Sequence, residues 1–269
     1  MKVWAVANQK GGVGKTTTAM TLAGLLAMRG NSTLLVDMDP HGSLTTYSGY
    51  DPDTIEDSVY TLFHNPNVML ASVIKRTKFE NLYILPASTA MATLDRQLGT
   101  QDGMGLILKR TFARISSRFD HVLVDCPPML GVLMVNALAA CDHLIVPVQT
   151  EFLALKGLER MMHTLNMVTR SMKIPIPFTI LPTMYDRRTR ASQQSLQFLQ
   201  ERYPAILSET FIPVDTQFRE ASRAGMPLPM MSPDARGTLA YGALLDRLDM
   251  SAQSQKTGQI TSHVRAAAS

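Results

Sequence analysis

An α/β fold, a mostly parallel twisted sheet with helices on both faces, is predicted by three features of the sequence. Short apolar runs alternate with longer stretches of helical periodicity, the pattern of repeated β-α-β units. Several of those runs are apolar throughout, as expected when helices cover both faces of a strand. Between the first run and the first helical stretch lies Lys10-Gly11-Gly12-Val13-Gly14-Lys15-Thr16-Thr17, a glycine-rich loop of the phosphate-binding kind.

Strands are predicted over residues 2–7, 32–36, 82–86, 121–125, 143–148 and 178–183. Helices are predicted over 16–29, 104–117, 153–172, 191–203 and 237–250. In the fourth helix Leu196, Leu199 and Tyr203 recur at three- and four-residue spacing, giving one buried stripe. No internal repeat is visible. Residues 1–250 are expected to form one domain. Residues 251–269 are rich in Ser, Gln and Ala without a hydrophobic stripe, and are expected to be a disordered tail.

Composition narrows the function classes. At 269 residues and 45% hydrophobic, the chain has ample material for a packed core. No apolar run approaches the ~18 residues of a membrane span, and the start of the chain lacks a signal-peptide layout. Two cysteines, Cys126 and Cys141, offer no disulfide framework, so a reducing cytoplasm fits. Residues 1–150 carry 12 basic and 12 acidic side chains, so the net +4 of the whole chain falls after residue 150. That placement favours a polyanion contact in the C-terminal half.

The glycine-rich loop dictates the chemistry. The pattern G-x-x-x-x-G-K-[ST] is present with Gln9 in place of its first glycine and with Gly14-Lys15-Thr16 intact. Glycines let the backbone curl so that successive N–H groups of Gly11, Gly12, Val13, Gly14, Lys15, Thr16 and Thr17 can face phosphate oxygens, and the helix that follows adds its positive end. Lys15 is expected to reach the β- and γ-phosphates of ATP, and the Thr16 hydroxyl to complete a Mg²⁺ site. The strand His121-Val122-Leu123-Val124-Asp125 ends in a carboxylate aimed at Mg²⁺ through water. Asp39, in Asp37-Met38-Asp39-Pro40-His41, sits after another strand, where open α/β sheets collect functional groups; capping the turn is the bland alternative.

With the extra Lys10 five residues before Lys15, the loop resembles the deviant Walker A box of the ParA/MinD (SIMIBI-class) ATPases. The resemblance runs from about residue 1 to about residue 249 and is to the ParA/Soj-like branch without an N-terminal helix-turn-helix domain. It implies a P-loop ATPase of slow intrinsic rate in which Lys10 crosses an ATP-dependent homodimer interface to the partner's nucleotide. It assigns the Asp-x-Asp-Pro segment to switch I, with Asp39 positioning the attacking water, and Asp125-Cys126-Pro127-Pro128 to switch II. His41 departs from the family's usual Gln. The resemblance also puts Pro213 beside the adenine and Asp215 within reach of its amino group, a plain surface loop being the alternative for Asp215. Thr183 stands where many relatives carry Asn, so no base contact is carried over to it.

The arginine run Arg187, Arg188 and Arg190, with Arg219 and Arg223 further on, is the candidate surface for nonspecific DNA. Nucleoid-binding members of the family place basic residues in these two regions, although Gln217 and Met226 replace residues often basic there. A solvated charged loop is the alternative.

The function this implies is a ParA-like ATPase that positions or segregates a cargo, a plasmid, a chromosome or a protein assembly such as a chemosensory array. A ParB-like or cargo-adaptor protein would stimulate its hydrolysis, and the protein would be cytoplasmic, on the nucleoid or at a pole. A MinD-like or flagellar-regulator reading without DNA calls for an amphipathic membrane helix, for which the tail offers only Ile260 and Val264. A cluster-assembly or metabolic reading calls for paired cysteines, and Cys126 and Cys141 form no C-x-x-C pair.

Overall fold

The computed structural model describes residues 1–98, 103–173 and 175–250; the predicted tail lies outside the described residues. Seven strands form one sheet: β1 (Lys2–Val6), β2 (Thr33–Asp37), β3 (Lys75–Arg76), β4 (Leu82–Leu85), β5 (His121–Asp125), β6 (His143–Gln149) and β7 (Phe178–Thr183). Their order is β3-β4-β2-β5-β1-β6-β7, parallel throughout except for the β3–β4 edge pair. The α/β class read from the sequence is the fold observed. Each of the six predicted strands corresponds to a parallel strand, with ends shifted by a residue or so. The two-residue β3 was not predicted, because so short a segment has no periodicity to read.

Alternation along each strand divides the interior in two. Val3 and Ala5 of β1, with Val122 and Val124 of β5 and Leu144 and Val146 of β6, join one core. The helices Ile107–Ile115, Val132–Ala140 and Phe152–Met172 cover it. Trp4 and Val6, with Leu35, Leu123, Ile145 and Leu181, face the other way. There they meet α1 (Lys15–Met28) and the helix over 236–250, whose Tyr241, Leu244 and Leu245 are buried. Each fully buried Leu, Val or Ile contributes about 1.5–3 kcal/mol through area removed from water, so both layers are needed to hold the central strands.

Helix prediction missed one helix without a polar face and several too short to show a pattern. The helix Val132–Ala140 is apolar on nearly every side, so no stripe marks it. The helix Gln217–Ala224 does have one apolar side, Phe218 and Ala221, but is only eight residues long. The predicted helix over 104–117 divides into a 3₁₀ turn, Met104–Leu106, and an α-helix, Ile107–Ile115.

At the opposite end of the sheet from the loop, two histidines flank β1. His121 lies opposite Lys2 on β5 and meets the Trp4 ring edge-on at 5.4 Å. His143 lies opposite Trp4 on β6, its Nε2 2.9 Å from Thr179 Oγ1. Burial lowers both imidazoles, that of His143 to about 4. An unfolded chain takes up these protons near the ordinary histidine value of about 6.5 and the folded chain does not, so stability is lost as pH falls from about 6.5 towards 4. His143 alone should contribute a loss on the order of 3 kcal/mol. Urea unfolding of wild type and His143→Gln between pH 7 and pH 4.5 checks this. The wild type should lose stability more steeply than the variant; parallel pH profiles would contradict it.

Candidate nucleotide site

All the chemistry of the loop gathers at the C-terminal ends of the parallel strands. After β1 the chain curls back before α1, and two points of that curl require left-handed backbone: Gly12 at φ 75° and Gly14 at φ 92°. A Cβ added at Gly11, Gly12 or Gly14 would meet no atom within 4 Å, so the loop's inner side is open space of the kind a ligand fills. The loop is pinned from behind by side chains. Asn8 Nδ2 donates to the Pro147 carbonyl at 2.8 Å, and Gln9 Nε2 donates to Thr164 Oγ1 at 2.7 Å. Thr183 Oγ1, at the end of β7, donates to the Val13 carbonyl at 2.9 Å. Asn8, Val13 and Thr183 are all buried, so the loop is held before any ligand arrives.

Lys15 opens α1 and folds its ammonium back to the Lys10 carbonyl at 3.2 Å. Thr16 Oγ1 donates to Asp125 Oδ2 at 2.6 Å. The other Asp125 oxygen, Oδ1, is buried and has no hydrogen-bond partner among the described residues. Burial, reinforced by the charge of Asp37 directly opposite on β2, pushes the Asp125 carboxyl well above the usual range. A buried carboxylate with a free oxygen beside a hydroxyl fits a water-shelled Mg²⁺, which takes few protein ligands and completes its octahedron with waters and phosphate oxygens.

Asp37 is the residue the sequence reading left without a role. Its Oδ2 accepts from the Thr45 N–H at 2.8 Å and the Thr45 hydroxyl at 2.7 Å, and its Oδ1 accepts from the Asp39 N–H at 3.1 Å. Burial still raises this carboxyl to about 6. Asp37 thus anchors the switch segment and the short helix α2 (Ser43–Tyr47) to β2. Asp39 stands beyond it at the cavity wall, and His41 rests on it, with Nδ1 2.8 Å from Asp39 Oδ1.

Two cavities adjoin. One of 520 Å³ is lined by Gly11, Gly12, Gly14, Lys15 and Thr16 together with Asp39, His41 and Pro128. The second, of 680 Å³, extends from Gly14 and Thr17 to Pro213 and Asp215. The predicted phosphate and adenine residues therefore fall at the two ends of one trough. Asp215 also serves the local structure. Its oxygens accept the Gln217 N–H at 3.0 Å and the Gly237 N–H at 3.1 Å, tying this wall to the last helix.

Four predicted residues have surroundings no spacing could reveal. Lys10 does not line the phosphate cavity; its ammonium is ion-paired with Glu151, which directly precedes the helix Phe152–Met172. Arg188 is not free, for its guanidinium forks onto Asp186 at 2.9 and 2.8 Å and helps hold that carboxyl down at about 2. Arg219 and Arg223 line the larger cavity instead of extending the Arg187–Arg190 run.

Comparisons with known proteins bear on this geometry. A family model described as an AAA domain matches residues 1–177. The sporulation initiation inhibitor protein Soj of Bacillus subtilis is 34% identical over 241 residues, 89% of this chain and 95% of Soj. The chain belongs to the ParA/MinD family of P-loop ATPases. The chromosome partitioning protein ParA of Myxococcus xanthus is 32% identical over 90% of this chain and 86% of its own length. Among solved structures, cobyrinic acid a,c-diamide synthase from Mycobacterium smegmatis with bound ATP analog and magnesium superposes with a TM-score of 0.81. It is 35% identical and covers 95% of this chain and 97% of that one. A putative plasmid partition protein from Borrelia burgdorferi bound to AMPPNP shares the fold at TM-score 0.77 and 23% identity, over 91% of this chain and 97% of that one.

In this ParA/MinD site, Asp39 keeps one oxygen on His41 and lines the phosphate cavity. Asp39→Ala should bind ATP normally and hydrolyse it about 10²–10⁴-fold more slowly. Phosphate release under single-turnover conditions gives the answer, and a rate within twofold of wild type would leave Asp39 a turn residue.

Proposed function

We propose that the chain is a ParA-type positioning ATPase that dimerises on ATP, binds DNA without sequence preference as the dimer, and is reset by slow, adaptor-stimulated hydrolysis. The observation that carries this reading is the placement of Lys10. It leaves the same loop as Lys15, yet only Lys15 lines the phosphate cavity, while Lys10 is directed away onto Glu151. A lysine that takes no part in its own phosphate site is suited to serving a second copy's site. Forming the dimer would then exchange the Glu151 carboxylate for a phosphate of the facing subunit.

The residues divide the work. N–H groups from Gly11 to Thr17 and the ammonium of Lys15 hold and orient the polyphosphate of ATP; Thr16 and Asp125 would hold Mg²⁺, which would supply positive charge against the transferred phosphoryl group. Asp39 orients the attacking water in line with the leaving oxygen. Pro213 and Asp215 bound the adenine end.

The name of the Myxococcus xanthus relative, a chromosome partitioning protein, supports the positioning role. Nonspecific DNA suits exposed Arg187 and Arg190, with Arg188 held at their centre by Asp186. Doubling such contacts in a dimer multiplies affinity, so nucleotide state becomes location. Among the described residues no helix is long and apolar enough to cross a membrane. The adaptor would be ParB-like or a cargo protein. Synthase chemistry of the kind named for the Mycobacterium smegmatis neighbour instead predicts turnover that depends on a carboxylate acceptor and a nitrogen donor, whereas this reading predicts turnover raised by DNA with adaptor.

Two outcomes test the proposal. Lys10→Ala should bind ATP with wild-type affinity and stay monomeric, so light scattering with a nonhydrolysable analogue should return one chain mass; an intact ATP-dependent dimer would contradict the crossing role. Replacing Arg187, Arg188 and Arg190 by Glu should weaken binding to mixed-sequence duplex in the ATP state. It should lower the salt slope by about one unit per lost phosphate contact. Unchanged slopes would mean that the run is a solvated loop.

A further inference from the structure

Arg219 and Arg223 stand four residues apart on the helix Gln217–Ala224, so they share a face, and that face borders the 680 Å³ cavity. Gly14 and Thr17, at the start of α1, line the same cavity, as do Pro213 and Asp215. Ser222 lines both this cavity and the phosphate cavity beside it, so the helix is a wall common to the two. Among the described residues neither arginine side chain takes part in an ion pair, unlike Arg188. Asp215, the carboxylate of the cavity lining, already accepts two backbone N–H groups. The helix is also anchored at its far end: Lys78 Nζ donates to the Ala224 carbonyl at 3.3 Å, and the Tyr47 hydroxyl to the Met226 carbonyl at 3.1 Å.

Two unpaired guanidinium groups on a fixed wall, opposite a helix N-terminus that favours anions, form a site for a phosphate ester. We propose that Arg219 and Arg223 bind the nucleotide itself along its ribose–phosphate edge and do not belong to the DNA surface. This rests on the reading that the trough holds a nucleotide and adds two residues that grip it. A guanidinium fork on a phosphate oxygen is a charge-assisted contact, and the pair closes the side of the trough that the glycine loop leaves open.

The test uses the full chain and a fluorescent ADP derivative, comparing wild type, Lys15→Gln, the double variant Arg219→Gln/Arg223→Gln and the double variant to Lys. The Gln pair should raise the ADP Kd about tenfold and the Lys pair by less, with melting temperatures unchanged. With nucleotide analogue saturating, the salt slope for mixed-sequence DNA should match wild type. An ADP Kd within twofold of wild type for the Gln pair overturns the proposal, as does a DNA salt slope lowered by about two units in that variant. If wild type binds ADP and Lys15→Gln does not, such a result removes only the arginine contacts. If wild type itself binds no ADP, the nucleotide reading of the trough fails first.

Discussion

Two buried carboxylates side by side constrain the whole site. Asp37 and Asp125 end adjacent parallel strands in direct register, both fully inside the protein, and burial raises both carboxyl groups. Like charges so placed repel, and the fold answers each differently. Asp37 is satisfied by three donors, two from Thr45 of α2 and one from Asp39, so its charge is spent on structure. Asp125 keeps one oxygen unsatisfied beside Thr16, with Lys15 the nearest favourable charge. An uncompensated buried carboxylate is costly, and a divalent cation removes that cost. The same contrast ties the segment after β2 to Asp37 and leaves Asp125 with an oxygen open to a cation.

The loop shows a similar division between what is fixed and what can change. Its back is held by Asn8, Gln9 and Thr183 through neutral hydrogen bonds to β6, β7 and the helix Phe152–Met172. Its front carries the lysines. Lys15 is folded over the loop, while Lys10 makes an ion pair that is partly open to solvent. Partly exposed ion pairs contribute little to stability, typically up to about 1 kcal/mol, so Lys10 can be drawn away at small cost. The rigid half preorganises the phosphate site, and the loosely held half is the one a second subunit would need.

The sequence revealed what is local or periodic. Six parallel strands were readable because each is a short, mostly apolar run, and the loop because its glycines and Lys15 fall at adjacent positions. Asp125 and Asp39 were readable from their place just after such runs. Partners distant in the chain were not. Glu151 lies 141 positions from Lys10, and Thr183 lies 170 from Val13, with nothing in either spacing to connect them. The place of Arg219 and Arg223 on the cavity was hidden for another reason: their helix is only eight residues long, and the facing wall of the cavity comes from Gly14 and Thr17, about 200 positions away in the chain. Charge counts placed the basic excess in the C-terminal half of the chain but could not say which arginines have ion-pair partners.

The central claim is that the Thr16–Asp125 pair completes a magnesium–nucleotide site. Titration calorimetry of the wild-type chain with a nonhydrolysable ATP analogue, in Mg²⁺ and then in EDTA, tests it most directly, with Asp125→Asn measured in parallel. The account predicts one site per chain, with Mg²⁺ tightening the wild type at least about tenfold, and most of that gain absent in the variant. Equal affinities in Mg²⁺ and EDTA, or a variant that gains as much from Mg²⁺ as wild type, would contradict it.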